Sequence, residues 1–520
     1  MKTIKNKNYF CKNENSLWLA TTPPTDYPTL SDNENIRVDA AVIGAGIAGI
    51  STALFLKKEG MKVALVESGK VARGVSGFTS GKVTSQHILI YKYLIDKFGF
   101  ELAKQYADAN QKALMTIREL VKEYGIDCDF ATKTAFTYAQ NEETLQKVAE
   151  ETEAAISLGL PAFYTEKAPV PIPVKGAVCF SGQGQFHPRK YLLELVSKIP
   201  GDGSYVFENT RALDLNEGSP CEIMTNHGTI KAKDIAITTH FPFYDKPGQY
   251  YDRMEAERIY SLAMRLNTKF PDGVFISAEK DIYSFRSQPH NEGELIIAGG
   301  QEHVTGRIVD TKNRFKSLYD YIRLFFDIDG IEFCWSSQDN NTVDMVPYIG
   351  RYMPDIKHIY VATGFNGWGM THGTVSGIII KDLILGFKNT FTDIYNPARF
   401  KLSKVPKKKL HTKKAEKSKK NAIRIINDPS KYLSALKNEE GKIIEIDGAK
   451  TAVYKDTDGK GYFLNPLCPH MECLVRWNNA EKSWDCPCHG SRFSFNGAVL
   501  NSPAFEDLKT ILIYPHFTSE

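Results

Sequence analysis

The chain has 520 residues, 42% of them hydrophobic and 24% charged. That length and composition exclude a single compact domain, wholesale disorder and a predominantly membrane-embedded protein. A formal net charge of +4 is too balanced to make nucleic acid the main partner. Met1 to Thr22 is polar and lacks the apolar core of a secretory signal, so a cytoplasmic location is expected. The most apolar window, Val38 to Leu56, is interrupted by Gly44, Gly46 and Gly49, and no membrane span is expected.

Residues 1–35 read as an irregular N-terminal arm, because Thr22 to Pro28 and Ser31 to Asn35 carry turn chemistry rather than periodicity. A strand then begins near Arg37. The run Asp39-Ala-Ala-Val-Ile-Gly44-Ala-Gly46-Ile-Ala-Gly49 follows that strand and opens a helix, Ile50 to Lys58, which is the context that G-x-G-x-x-G needs to mean dinucleotide binding. Gly44 serves the tight turn, Gly46 lets the backbone approach a pyrophosphate, and Gly49 lets helix and strand pack closely. Glu67 ends the next strand, Val63 to Val66, where a carboxylate can accept hydrogen bonds from a ribose. A chance glycine-rich loop would lack the second strand and the terminal acid. The spacing does not choose FAD over NAD, and no second fingerprint follows that would encode a separate NAD(P)H domain.

Apolar residues between Tyr91 and Tyr124 recur with the period of one or two amphipathic helices, and another helix is expected over Glu142 to Leu158. From Ala162 to Gly306 the pattern is shorter and strand-like, at Tyr205 to Phe207, Ile223 to Thr225, Ile235 to Ile237 and Leu295 to Ile297, with a helix at Arg189 to Ile199. Ile359 to Val361, Gly364 to Gly369 and Val375 to Leu385 return to strand, glycine turn and helix. Residues 401–421 hold ten lysines and one acid, Glu416, and read as a solvated linker, with an acidic partner or membrane surface as the other reading. Short strands at Ile443 to Ile446, Thr451 to Tyr454 and Tyr462 to Leu464 make the last hundred residues a small all-β domain.

Cys11, Cys128, Cys179, Cys221 and Cys334 are scattered, whereas Cys468, Cys473, Cys486 and Cys488 are clustered. Cys468-Pro-His470 followed by Cys486-Pro-Cys488-His489 is the Rieske pattern, with two cysteines on one iron and two histidines on the other. Two Cys and two His also suit tetrahedral zinc, but C-x-H loops in a β domain fit zinc poorly. A ring-hydroxylating oxygenase would need a mononuclear iron site, and no H-x4-H pair with an upstream acid supplies one.

Asp39 to Glu67 resembles the fingerprint of the glutathione-reductase-like flavoproteins. Trp335-Ser-Ser-Gln-Asp-Asn-Asn-Thr342-Val-Asp344-Met-Val-Pro347-Tyr-Ile-Gly350 and Val361-Ala-Thr363-Gly364-Phe-Asn-Gly367-Trp-Gly369-Met-Thr371 narrow the resemblance to the D-amino-acid oxidase superfamily. It implies FAD, with Gly364, Gly367 and Gly369 near the pyrimidine edge of the flavin. It also likens Arg73 to Lys82, with Ser76 and Thr79, to the loop that passes the pyrophosphate and ring. Amino-acid-oxidizing members place a carboxylate-binding arginine before the Thr-x-Asp-x-x-Pro element, but Ser336 to Asn341 contains none. Arg286 is a candidate substitute or a structural cation, and His240 has the same two readings.

The cysteine loops resemble those of the Rieske proteins of cytochrome bc complexes. That implies a Cys473–Cys488 disulfide, with reduced thiols as the cytoplasmic alternative. It also implies a Ser491 hydroxyl directed at a bridging sulfide, and a covering loop at Asn501-Ser-Pro503. Phe493 stands where those proteins carry a tyrosine, so the potential is expected below the upper end of the roughly −150 to +300 mV Rieske range.

The whole resembles a bacterial fusion of an α/β FAD-binding (Rossmann-like) domain and an α+β substrate domain with a small all-β Rieske domain. The expected bounds are 1–35 for the arm, 36–400 for the FAD-dependent oxidoreductase, 401–421 for the linker and 422–520 for the Rieske domain. Within 36–400, the FAD-binding part is expected at about 36–90, 160–240 and 331–390, and the substrate part at about 91–159 and 241–330. The resemblance implies oxidation of a small organic donor, an amine among the candidates, with electrons passing from FAD to a 2Fe-2S cluster and on to an external acceptor. A redox relay or sensor without metabolite turnover is the alternative. No side chain stands out as an acid or base, and the catalytic residues stay unassigned.

Overall fold

The structure, a computed structural model, describes residues 11–245, 248–308, 310–399, 425–426 and 428–513. The lysine-rich stretch 401–421 lies outside the described residues. The chain divides into two units, one of Met1–Tyr250, Ile259–Glu302 and Phe315–Phe400, the other of Tyr251–Arg258, His303–Arg314 and Lys401–Glu520.

In the first unit an eight-stranded sheet runs in the order Tyr348–Arg351, Ile359–Thr363, Thr229–Ile237, Asn35–Ile43, Val63–Val66, Tyr205–Phe207, with Cys221–Thr225 and Ala212–Asn216 added beside Thr229–Ile237. The five strands from Ile359–Thr363 to Tyr205–Phe207 are parallel. Val63–Val66 is buried throughout, as a sheet covered on both faces requires. Strand order reverses between Asn35–Ile43 and Thr229–Ile237, the switch point beyond whose carboxyl ends such sheets bind ligands.

Helices Ile47–Lys58 and Gly369–Leu385 start at those carboxyl ends and press together. A Cβ on Gly373 would lie 2.6 Å from Ile47, and one on Gly377 would lie 2.9 Å from Phe55 and Ser51. The glycines therefore set the closeness of the two helices.

A ten-stranded sheet extends from Cys11–Asn13 at one edge to Lys82–Val83 at the other. It departs from the expected partition. Ala162–Thr165, Gly176–Gln185 and Ile328–Thr342, all or mostly within the stretches expected in the FAD-binding part, belong to this sheet. Gly176–Gln185, for example, pairs along nearly the whole of Ala131–Ala139. Conversely, Tyr91–Phe98 and Phe100–Glu123 were expected in the substrate part, yet Tyr106, Leu114 and Ile117 share one core with Val42 and Leu65 of the parallel sheet. Periodicity shows that a helix buries one face, not what it is buried against.

The arm is also more ordered than its turn chemistry implies. Cys11–Asn13 pairs in parallel with Ile328–Thr342, Leu17–Ala20 is helical, and Cys11 is bonded to Cys334. Elements of three and four residues are too short to show periodicity.

The second unit contains a three-stranded antiparallel sheet, Glu440–Ile446, Ala449–Lys455 and Gly461–Leu464. A four-stranded sheet, Arg476–Asn478, Ser483–Asp485, Arg492–Ser494 and Val499–Asn501, accompanies it, together with a short parallel pair, Ile425–Ile426 with Leu512–Ile513. Asp447 and Gly448, both at positive φ, make the two-residue turn of the first hairpin.

Residues 251–258 and 303–314, expected in the substrate part, belong to this unit. Arg258 is 1% exposed and donates to Glu481 at 2.5 Å. Glu481 also pairs with Arg492, which donates to Asp485, and the Thr311 hydroxyl lies 2.6 Å from Asn478. A buried guanidinium needs such partners, and no local sequence pattern announces them. Among the described residues no helix is long and apolar enough to cross a membrane.

Candidate redox-cofactor sites

The cradle at the switch point is made mostly of main chain. Gly44 turns at φ 100°, and a Cβ on Gly49 would fall 1.8 Å from the Gly44 carbonyl oxygen, so neither tolerates a side chain. A Cβ on Gly46 would meet only the Ser76 hydroxyl, at 3.2 Å. That leaves an open approach to the first turn of Ile47–Lys58, where helix N–H groups favour phosphate. Ser76 Oγ accepts from Ile47 N at 3.0 Å. The Glu67 carboxylate accepts from Ala45 N and Gly69 N, both at 2.9 Å, which fixes it beside the glycine loop. These features fit a bound dinucleotide.

Opposite lies the turn Gly364–Gly369, with Gly364 and Gly367 at φ 75° and 82°. Helix Gly369–Leu385 starts there without a side-chain cap, so its first N–H groups are available to an anionic ring edge. The preceding motif holds the turn. Asp339 accepts from Gly367 N at 2.7 Å, and Asn366 accepts from Thr342 N at 2.7 Å. Asp344 accepts from Arg399 Nε at 2.9 Å and from Arg399 Nη2 at 3.1 Å.

The loop carrying Ser76 and Thr79 has supports that sequence reading missed. Three successive carbonyls each receive a buried donor: Phe78 O from Trp335 Nε1 at 2.8 Å, Thr79 O from Trp18 Nε1 at 2.6 Å, and Ser80 O from Arg286 Nε at 2.6 Å. Arg286 also donates to Phe186 O and Ser287 O, is 1% exposed, and lies 5.2 Å from the Trp18 ring. Of its two readings, the structural one holds. The main chain of His240 is tied into the fold, while its buried Nε2 has no hydrogen-bond partner. Its carbonyl accepts from Asn340 and Thr363, and its ring lies beside Asn340 and Asp339.

Two further groups have no role assigned from the sequence. Lys82, at the end of the supported loop, is pushed down to about 7 by burial and by the Arg286 guanidinium. His87 stacks on Trp368 at 4.6 Å, and its Nδ1 lies 2.7 Å from Tyr106 Oη, which is 3.1 Å from His372 Nε2. Burial lowers both imidazoles, His87 to about 3, so this network is neutral.

In the second unit the two cysteine loops are built alike. Cys468 N donates to Cys473 O, and Cys486 N donates to Ser491 O, each at 2.8 Å. The Cys468 and Cys486 thiols share a hydrogen bond that pushes Cys468 down, to about 7, and holds Cys486 up. Main-chain N–H groups of His470 and Met471 donate to the first sulfur, and those of Cys488 and His489 to the second. Cys473 and Cys488 are disulfide-bonded, with Cα atoms 6.5 Å apart. Although their sulfurs lie within 4.8 Å of Cys486, they are spent as thiolate ligands.

The His470 and His489 rings stand 4.9 Å apart at 86°. Burial keeps both neutral, His470 at about 4. Nδ1 of each is buried with no hydrogen-bond partner. Two orphaned imidazole nitrogens beside two buried thiols that form no disulfide are the donor set of an asymmetric Cys2His2 iron–sulfur centre. Ser491 Oγ accepts from Ala504 N at 3.0 Å, beyond Ser502-Pro503, so its own proton is left to donate toward sulfur. Phe493 is fully buried and offers no hydroxyl.

A dinucleotide cradle and a Cys2His2 double loop in one chain define a flavin and iron–sulfur oxidoreductase. The chain belongs to the FAD dependent oxidoreductase family (DAO), matched over residues 39–383, and carries a Rieske [2Fe-2S] domain, matched over 429–512. FAD and a 2Fe-2S cluster are therefore its cofactors. The chain is 34% identical over 98% of its length to the "Putative Rieske 2Fe-2S iron-sulfur protein YhfW" of Bacillus subtilis (strain 168), 99% of which is covered. It is 23% identical to the gamma-glutamylputrescine oxidoreductase of Escherichia coli (strain K12), over 70% of this chain and 87% of that one. The solved glycine oxidase from Geobacillus kaustophilus shares the fold at TM-score 0.59 and 19% identity, over 70% of this chain and all of that one.

Proposed function

We propose that this oxidoreductase oxidises a small organic amine and delivers the electrons through its Rieske centre to an external acceptor in the cytoplasm. When bound, FAD supplies a two-electron acceptor and the cluster a one-electron one. Gly44, Gly46, Gly49, Glu67, Ser76 and Thr79 would hold the dinucleotide, and Gly364, Gly367 and Gly369 would hold its ring edge. Cys468, His470, Cys486 and His489 would ligate the irons, with the Cys473–Cys488 bond bracing the two loops.

The observation that carries this reading is the pair of orphaned Nδ1 atoms on His470 and His489, in a chain that also encloses a complete dinucleotide cradle. An amine fits better than an α-amino acid. Ser336–Asn341 lacks an arginine, and Arg286 spends its donors on main-chain carbonyls. The similarity to an enzyme named for γ-glutamylputrescine supports the same class.

The test is anaerobic mixing of the purified full chain with a panel of primary and secondary amines, reading flavin absorbance and the electron paramagnetic resonance of the cluster together. Flavin bleaching followed by a reduced-cluster signal supports the reading. Reduction of both centres by dithionite, but by no amine or amino acid, would replace it with a relay that turns over no metabolite.

A further inference from the structure

The imidazole pair of the cluster loops is not the edge of an isolated small domain. Tyr251 belongs to the second unit, although in sequence it lies 217 residues before Cys468. Its ring stands against both histidines, with centroids 5.2 Å from His470 and 5.4 Å from His489, each at 73°. With the 4.9 Å contact between the imidazoles, the three rings form a closed edge-to-face triangle. Rings in contact prefer such edge-to-face geometry, so each holds the orientation of the others. Nothing in the Cys-x-His and Cys-x-x-His spacing calls for such a residue.

We infer that Tyr251 is a positioning residue of the cluster: its ring orients the two imidazoles and keeps water from their edge, lowering the potential. The inference rests on the proposed ligand set but not on the donor or on the direction of electron flow. The sign follows from charge. Two ferric ions, two sulfides, two thiolates and two neutral imidazoles sum to zero, and one-electron reduction to a ferric–ferrous pair leaves a single negative charge. An apolar ring in place of water withdraws solvation from the charged, reduced form more than from the neutral one. Asp252, the next residue, adds a carboxylate whose field reaches His470 and opposes a further negative charge in the same direction.

The test uses the full-length protein, titrated with dithionite in the presence of mediators and followed by the cluster's paramagnetic resonance. Tyr251→Ala is expected to raise the potential and to change the g-values and the imidazole nitrogen hyperfine couplings. Tyr251→Phe, which keeps the ring, is expected to match the wild type in all three. An alanine variant with wild-type potential and spectrum overturns the inference, and so does a phenylalanine variant shifted as far as alanine. Should Tyr251→Ala lose its iron, Tyr251→Ser, which also readmits water, is read instead: an upward shift supports the inference, and an unchanged potential overturns it. A wild-type protein that binds zinc, or lacks a Rieske signal, would overturn the ligand reading itself, and this would be seen before any variant is made.

Discussion

The candidate cluster site takes its four ligands, its disulfide and Ser491 from residues 468–491, whereas the candidate flavin cradle draws on residues from Gly44 to Gly369 and is mostly main chain. Side chains that bond a metal must be of particular types at particular spacings, so a mutation there acts through chemistry. Main-chain cradles ask only that the chain pass closely and hold still, so a mutation acts through whatever props the chain. The first site is short and all-or-none, the second extended and graded.

The largest effect expected is at the ligands. Cys486→Ser or His489→Ala should abolish the cluster, read as loss of iron and of the reduced-cluster signal, with FAD content unchanged. Loss of both cofactors together would break the distinction between the two sites. Next is Gly49→Ala, whose Cβ would sit 1.8 Å from a carbonyl oxygen that cannot yield cheaply. It should cost about 3 kcal/mol or more and strip FAD, read by flavin content, while the cluster persists.

Graded behaviour should appear at Trp18. Trp18→Ala empties a fully buried site, a loss of about 3–5 kcal/mol. Trp18→Phe keeps most of the packing and removes only the N–H to Thr79 O, about 1 kcal/mol, which should weaken FAD binding roughly fivefold by flavin-fluorescence titration. Lys82 supplies a pH test. Lowered to about 7, it is an ammonium below that pH and a neutral amine above it. The loop that carries Ser76 and Thr79 therefore loses a positive charge as pH rises through about 7, FAD affinity should fall over that range, and Lys82→Met should flatten the dependence. The smallest effects are on potential: Ser491→Ala should lower it and Phe493→Tyr should raise it, because hydrogen bonds to sulfur favour the reduced cluster. No shift in either would detach both residues from the sulfurs.

The same contrast explains what could be read in advance. The parallel strands, the glycine fingerprint and Glu67 repeat a pattern that close packing and phosphate binding impose locally, and the Cys and His spacing is fixed by bonding to iron. Trp18, Trp335 and Arg286 lie far apart in sequence and meet on three consecutive carbonyls, so their common role exists only after folding. Cys11 and Cys334 are 323 residues apart and read as unrelated for the same reason. Tyr251 and Arg258 sit in a stretch that reads as substrate domain, because nothing local records that their partners, His470, His489 and Glu481, come two hundred residues later.

Arg258 and Thr311 also bear on modularity. A Rieske domain at the end of a chain invites treatment as a cassette, cut at residue 401 and grafted elsewhere. Here the excised piece would leave Glu481 without the Arg258 guanidinium, Asn478 without the Thr311 hydroxyl and the two imidazoles without their aromatic neighbour. The portable unit is a composite of three stretches, and a shuffling event or an engineered swap that moved only the last of them would carry away the ligands but not the setting in which they work.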